Sequence, residues 1–202
     1  MTLPKLYAII DVRCFSDFSA IEAFAQDLSV AGVSLIQYRN KSGNTAEMLS
    51  HCRELRRHFP ESRLIMNDRA DLCVAAGMDG VHLGQDDLSP EGARRVVGKG
   101  LWVGISTHSL EQVRQADRNS VDYIAMGPVF TTRSKANPDP LIGLEGIQSA
   151  RLITRKPLVA IGGITRKNCC SVIAAGADSV AVISDLLDTP RQSAEEFLRL
   201  MR

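Results

Sequence analysis

Short runs of nearly continuous apolar residues alternate with longer stretches of helical period along the whole chain. The runs at Leu6–Asp11, Leu35–Arg39, Leu64–Asp68, Gly80–Gly84, Trp102–Thr107, Tyr123–Val129, Leu158–Gly162 and Val180–Ser184 are rich in Ile and Val. That is how strands buried on both faces look. Helical patterns lie near 19–30, 44–58, 70–76, 89–96, 109–117, 144–153, 166–174 and 190–201. In the last of them Ala194, Phe197, Leu198 and Met201 share one helical face. The order is strand then helix, eight times over, which predicts an α/β chain folded as a single (β/α)8 barrel over residues 1–202. Ala31-Gly32-Val33-Ser34, Ala76-Gly77-Met78-Asp79 and Ala175-Gly176-Ala177-Asp178 each end a helical pattern and lead into a strand. Glycine there suits a left-handed helix terminus. An open doubly wound sheet would normally carry a glycine fingerprint after its first strand; here that strand runs into Asp11-Val12-Arg13.

The 202 residues leave no room for a second domain once eight units are counted. Charge removes some functions. Lys+Arg is 24 and Asp+Glu is 23, a net +1, so no basic excess points to nucleic acid or to an anionic membrane. No apolar run approaches the ~20 residues of a membrane helix, and the N-terminus has no signal-peptide layout. Five cysteines without CxxC spacing, Cys14, Cys52, Cys73, Cys169 and Cys170, suit neither a disulfide framework nor a zinc site. A cytoplasmic protein with reduced thiols is expected.

Polar residues gather just after the apolar runs. Gln37, Arg39 and Lys41 alternate, so in an extended chain they project to one side; two cations and an amide there form an anion grip or a solvated strand end. Asn67-Asp68-Arg69 follows the third strand, and Gln85-Asp86-Asp87 the fourth. Asp68 and Asp87, carboxylates on neighbouring strand ends, suit Mg²⁺; each alternatively caps the helix behind it. His82 lies inside a strand and reads as a hydrogen-bonded core histidine. Ser106 has no hydrolase elbow around it, and Thr107 or His108 alternatively starts the next helix. Thr132, Ser134 and Lys135 read as an oxyanion-binding loop. Gly162-Gly163 after strand seven, with Ile183-Ser184 after strand eight, occupy the place where such barrels bind phosphate.

These pieces resemble the thiamine phosphate synthase family. The resemblance rests on Gln37-Tyr38-Arg39-Asn40-Lys41, Asn67 to Leu72, His82 to Leu88, Gly104 to His108, Gly127 to Phe130, Thr132 to Lys135, Ala160 to Ile164 and Gly176 to Ser184, in that order along essentially the whole chain. It implies a TIM barrel and a transferase that joins a hydroxymethylpyrimidine pyrophosphate to a thiazole phosphate, both small-molecule substrates. By motif, Gln37, Tyr38, Arg39, Asn40, Lys41, Asn67, Ser106 and Lys135 would bind the pyrimidine pyrophosphate. Asp68 and Asp87 would hold Mg²⁺, and Thr132, Arg133, Ser134, Gly163, Ile183 and Ser184 the thiazole phosphate. Arg39, Lys41, Ser106 and Lys135 would be the catalytic groups. Ser134 stands where the family usually has Thr, Ser179 where Gly is common, and Asp11 where Thr is frequent. Two other functions fit a similar barrel: a thiazole tautomerase, in which His108 would match a proton-transferring histidine, and a non-catalytic thiazole-phosphate sensor. Neither needs the carboxylate pair.

Overall fold

The computed structural model describes residues 2–132 and 139–202. Eight parallel strands close on one another: β1 (Leu6–Asp11), β2 (Leu35–Arg39), β3 (Arg63–Asn67), β4 (Gly80–Leu83), β5 (Trp102–Thr107), β6 (Tyr123–Met126), β7 (Leu158–Ile161) and β8 (Ser179–Val182), with β8 pairing back to β1. The helices between and after them are α1 (Phe18–Val30), α2 (Thr45–His58), α3 (Ala70–Ala75), α4 (Pro90–Val97), α5 (Leu110–Arg118), α6 (Gly143–Ile153), α7 (Cys169–Ala174) and α8 (Pro190–Leu200). This is the (β/α)8 barrel that the alternation predicts. Strands β3 and β8 begin one residue earlier than the apolar runs, because Arg63 and Ser179 pair with their neighbours although polar. Regular β6 ends at Met126, short of Val129. Beyond it Val129 N and Phe130 N still donate to the carbonyls of Ile161 and Gly162, so the β6 loop stays stitched to the end of β7. Helix α7 starts three residues late, after a turn in which Asn168 Oδ1 accepts from Thr165 N.

Strand parity sorts the core into two layers. Leu6, Ala8, Ile10, Ile36, Leu64, Val81, Val103 and Ile124 pack outward against the helices. Tyr7, Ile9, Leu35, Ile65, Tyr123, Ala125, Val159 and Ala181 fill the barrel interior. The Ala-Gly-x-Asp repeat acquires a physical meaning at the N-terminal ends of the strands. Asp79 accepts from Leu64 N at 2.8 Å and from Arg56 at 2.6 Å. Asp178 accepts from Leu158 N at 2.8 Å and from Arg151 at 2.7 Å. Asp122, where the repeat is degenerate, does the same with Val103 N and Arg94. Each aspartate thus holds an N–H at the start of the preceding strand and clamps the helix that leads into that strand. This face reads as stability, opposite to the face where barrel chemistry sits.

Gly104 shows how tightly the interior is filled. A Cβ there would lie 2.0 Å from Cζ of Tyr123, its register partner on β6. The ring is buried and hydrogen-bonded, so it has nowhere to retreat. Gly104→Ala is expected to cost about 1–3 kcal/mol through overpacking, read as a lower denaturant midpoint. An unchanged midpoint would mean the Tyr123 ring is free to shift.

Candidate active site

The C-terminal ends of the strands bring most of the polar candidates to one rim. Parity sends Gln37 and Arg39 inward from β2 and Tyr38 outward. Arg39 Nη1 is paired with the carboxylate of Asp11, its register partner on β1. Asp11 is 2% exposed and also accepts from Arg13 at 2.9 Å. Burial alone would raise its pKa; the Arg13 hydrogen bond and the Arg39 charge outweigh that and hold it below the usual carboxylate range. Lys41 Nζ lies 2.8 Å from Asp68 Oδ2.

Asp68 follows the last residue of β3 in the left-handed region, with φ of 63°, uncommon for a residue with a side chain. Its N–H donates to His82 O at 2.8 Å, which ties the turn to β4. Its carboxyl meets that of Asp87. Burial and this second carboxyl push its pKa up, with Lys41 opposing. Asp87 folds back over its own turn and accepts from Gly84 N at 2.7 Å. The caps of the neighbouring helices lie elsewhere. The residue before α3 is Arg69, with no side-chain cap, and α4 is capped by Ser89, which accepts from Gly92 N. Asn67, 6% exposed, leaves its Nδ2 without a hydrogen-bond partner among the described residues. A buried amide donor left unmade is costly, so this one is open to a water or a ligand at the rim.

Two candidates do not join this cluster through their side chains. The Tyr38 ring packs on the helix side and its hydroxyl contacts His51 Nδ1 at 2.8 Å. Asn40 braces its own loop, accepting from Gly43 N at 2.7 Å and donating to Tyr38. Outward parity for Tyr38 follows from inward parity for Gln37 and Arg39, and in this structure both side chains brace the loop that carries Lys41. His108 does not open α5, which Ser109 caps; its Nδ1 contacts the Gly127 carbonyl at 2.7 Å.

On the other side of the rim, Gly163 has φ of 64°, and a Cβ would meet Thr131 O at 2.5 Å. Packing against the β6 loop therefore demands glycine before any ligand is considered, and it sets Gly163 beside the segment leading to Thr132. Ile183 follows β8, and Ser184 opens a short 3-10 turn, Ser184–Leu186. Arg166, missed in the sequence, ties the loops together: it donates to Asp185 at 2.8 and 3.0 Å and to Glu196 at 2.8 Å. Arg133, Ser134 and Lys135 lie outside the described residues. Asp68 and Asp87 offer hard oxygen donors, with Lys41 as the ion-pair partner among the described residues, a donor set that fits Mg²⁺, which commonly uses one or two carboxylates and completes its shell with water and phosphate.

A family model described as thiamine monophosphate synthase matches residues 6–186. The chain belongs to the thiamine monophosphate synthase family. Thiamine-phosphate synthase of Koribacter versatilis (strain Ellin345) is 58% identical over 205 residues, covering 100% of this chain and 97% of that one. That of Chloroflexus aurantiacus is 40% identical over 185 residues, covering 89% and 83%. A solved thiamine phosphate pyrophosphorylase from Pyrococcus furiosus superposes with a TM-score of 0.86 at 33% identity, over 98% of this chain and 95% of that one. This member of the family is accordingly a transferase. No helix among the described residues is long and apolar enough to cross a membrane.

Proposed function

We propose that this transferase of thiamine biosynthesis joins a hydroxymethylpyrimidine pyrophosphate to a thiazole phosphate, forming thiamine phosphate and releasing pyrophosphate. The contact between the Asp68 and Asp87 carboxyl groups carries this reading. A pair of half-buried carboxyl groups in contact, with Lys41 beside one of them, suits a cation that arrives with a pyrophosphate, and a thiazole tautomerase or a phosphate sensor has no use for one. Asp68 and Asp87 would hold Mg²⁺, and when bound it would supply positive charge against the leaving pyrophosphate.

The chain's own residues do the rest. Arg39 and Lys41 face the leaving oxygens, with Lys135 assigned the same task by motif, and negative charge builds there as the methylene C–O bond breaks. Asn67 Nδ2, Gln37 and Ser106 hold the pyrimidine end. The thiazole nitrogen forms the new C–N bond with its own lone pair, so no general base is required, and alignment is the main demand on the protein. Thr132, Arg133, Ser134, Gly163, Ile183 and Ser184 would fix the thiazole phosphate across the rim. The test is incubation of the protein with both substrates, with and without Mg²⁺, following thiamine phosphate by chromatography. Product that requires Mg²⁺ is expected. Equal product after chelation would reject the metal role, and no product in either arm would reject the reaction.

A further inference from the structure

Five side chains form an unbroken hydrogen-bonded line across the barrel interior, and two of them, Gln37 and Ser106, are its ends. Gln37 Nε2 donates to Tyr7 Oη at 2.9 Å. Tyr7 Oη and Tyr123 Oη are 3.0 Å apart. Tyr123 Oη lies 2.9 Å from His82 Nδ1, and His82 Nε2 lies 2.9 Å from Ser106 Oγ. The first four residues are buried, and Ser106 is partly exposed at the mouth.

Counting protons along the line fixes its direction. Tyr7 accepts from Gln37, so its single O–H is given to Tyr123. Tyr123 then gives its own to Nδ1 of His82. A neutral imidazole that accepts at Nδ1 carries its proton at Nε2, and gives it to Ser106 Oγ. An imidazolium would put one proton too many on the line, because Tyr7 would be left with no acceptor. Burial keeps both phenols protonated, well above the ordinary tyrosine range. The proton of Ser106 therefore has no inward acceptor, and its hydroxyl faces the mouth as a donor.

We infer that Tyr7, Tyr123 and His82 are positioning residues: their ordered hydrogen bonds commit the Ser106 hydroxyl to donate to an acceptor atom of the pyrimidine substrate, and couple that commitment to the Gln37 amide three strands away. The substrate assignment rests on the function proposed above; the proton order does not. Reversal of the amide at one end would reverse every bond and turn Ser106 from donor to acceptor at the other. The line is thus a selectivity device: a ligand offering only a donor at this point meets a hydroxyl proton.

Nitrogen NMR of the labelled free protein tests the order without substrate. His82, assigned among the four histidines by its loss in His82→Gln, is expected to show a protonated Nε2 and a bare Nδ1. Gln37→Glu presents a carboxylate that can only accept, so it should reverse the line and move the proton to Nδ1. A wild-type ring protonated at Nδ1, or a Gln37→Glu ring unchanged, overturns the inference. Should Gln37→Glu fail to fold, Tyr7→Phe cuts the line, and His82 should then sample both tautomers; a single unchanged tautomer overturns the coupling. In steady-state assays Ser106→Ala and Tyr123→Phe are each expected to lower kcat/KM for the pyrimidine substrate about tenfold, the size of one hydrogen bond. The double variant should be no worse than Ser106→Ala alone, because Tyr123 acts through Ser106. Losses that multiply would make Tyr123 a packing residue only and overturn its positioning role. Absence of synthase activity together with the expected tautomer would reject the proposed function and support the line.

Discussion

Asp68→Gly is expected to lose turnover by about a hundredfold or more while raising the unfolding temperature. Two costs of Asp68 disappear with the side chain. Its backbone sits at φ of 63°, where a side chain costs roughly 1–2 kcal/mol and glycine little. Its carboxyl titrates above the ordinary value, through burial and the Asp87 carboxyl. A carboxyl raised in the folded state contributes stability that is fully present below the unfolded pKa of 3.8 and lost as pH rises through the folded value. At neutral pH the ionised group is therefore a net burden. The lost contact with Lys41, whose side chain is half-exposed, offsets little of this. After the extra chain entropy of glycine, a gain of about 1 kcal/mol remains, or roughly 2–4 °C for a domain of this size. Asp68→Ala, which keeps the backbone strain, should be as inactive without the full gain. Thermal melts and thiamine phosphate formation at saturating Mg²⁺ read both effects. A glycine variant retaining more than a tenth of the turnover would remove Asp68 from the metal site.

Arg39→Ala is expected to slow coupling roughly 10- to 150-fold. A charge-assisted bond to phosphate is worth roughly 1.5–3 kcal/mol, and each ~1.36 kcal/mol is tenfold in rate when the bond tightens as pyrophosphate leaves. Arg39→Lys keeps the charge without the fork and should recover part of the rate. Arg39→Ala also strips Asp11 of a partner. Asp11 is buried and, among the described residues, keeps the half-exposed Arg13 as its ion-pair partner, so the protein should lose stability as well. Adding Asp11→Asn should restore the melting temperature and not the turnover, which separates the two roles of Arg39. Thiazole phosphate binding, measured by calorimetry, should be unchanged in Arg39→Ala; weakened binding there would reverse the assignment of the two sides of the rim.

The barrel was legible because each strand is apolar on both faces and each helix restarts after a recognisable terminus. The positions of Arg39, Lys41, Asn67, Asp68, Asp87 and Ser106 were legible for a related reason: polar residues closing an apolar run stand at the strand's C-terminal end, and in a parallel barrel all such ends share one rim. What stayed hidden is non-local. Tyr7 and Tyr123 are 116 positions apart and each sits within an apolar run, so nothing nearby marks their hydroxyls as partners. Asp11 stood out only as a departure from a pattern. Its grip on Arg39 depends on the β1–β2 register that sets Asp11 opposite Arg39. Tyr38 is the reverse case: the family resemblance carries it along with its motif, while the two-residue period that turns Gln37 and Arg39 inward makes it face the helices.

The missing Cβ at Gly104 has a consequence for descent. Because the Tyr123 ring occupies the space where that atom would go, the two positions are not free to vary independently. While Tyr123 persists, nearly every mutation at codon 104 meets the same obstruction and is purged. Only a lineage that has first traded Tyr123 for a smaller side chain opens position 104 to drift. That exchange would also break the hydroxyl line to His82, so the permissive step is itself disadvantageous. Glycine at 104 and tyrosine at 123 are therefore expected to be inherited as one unit, with loss at 123 preceding change at 104 wherever the pair has come apart.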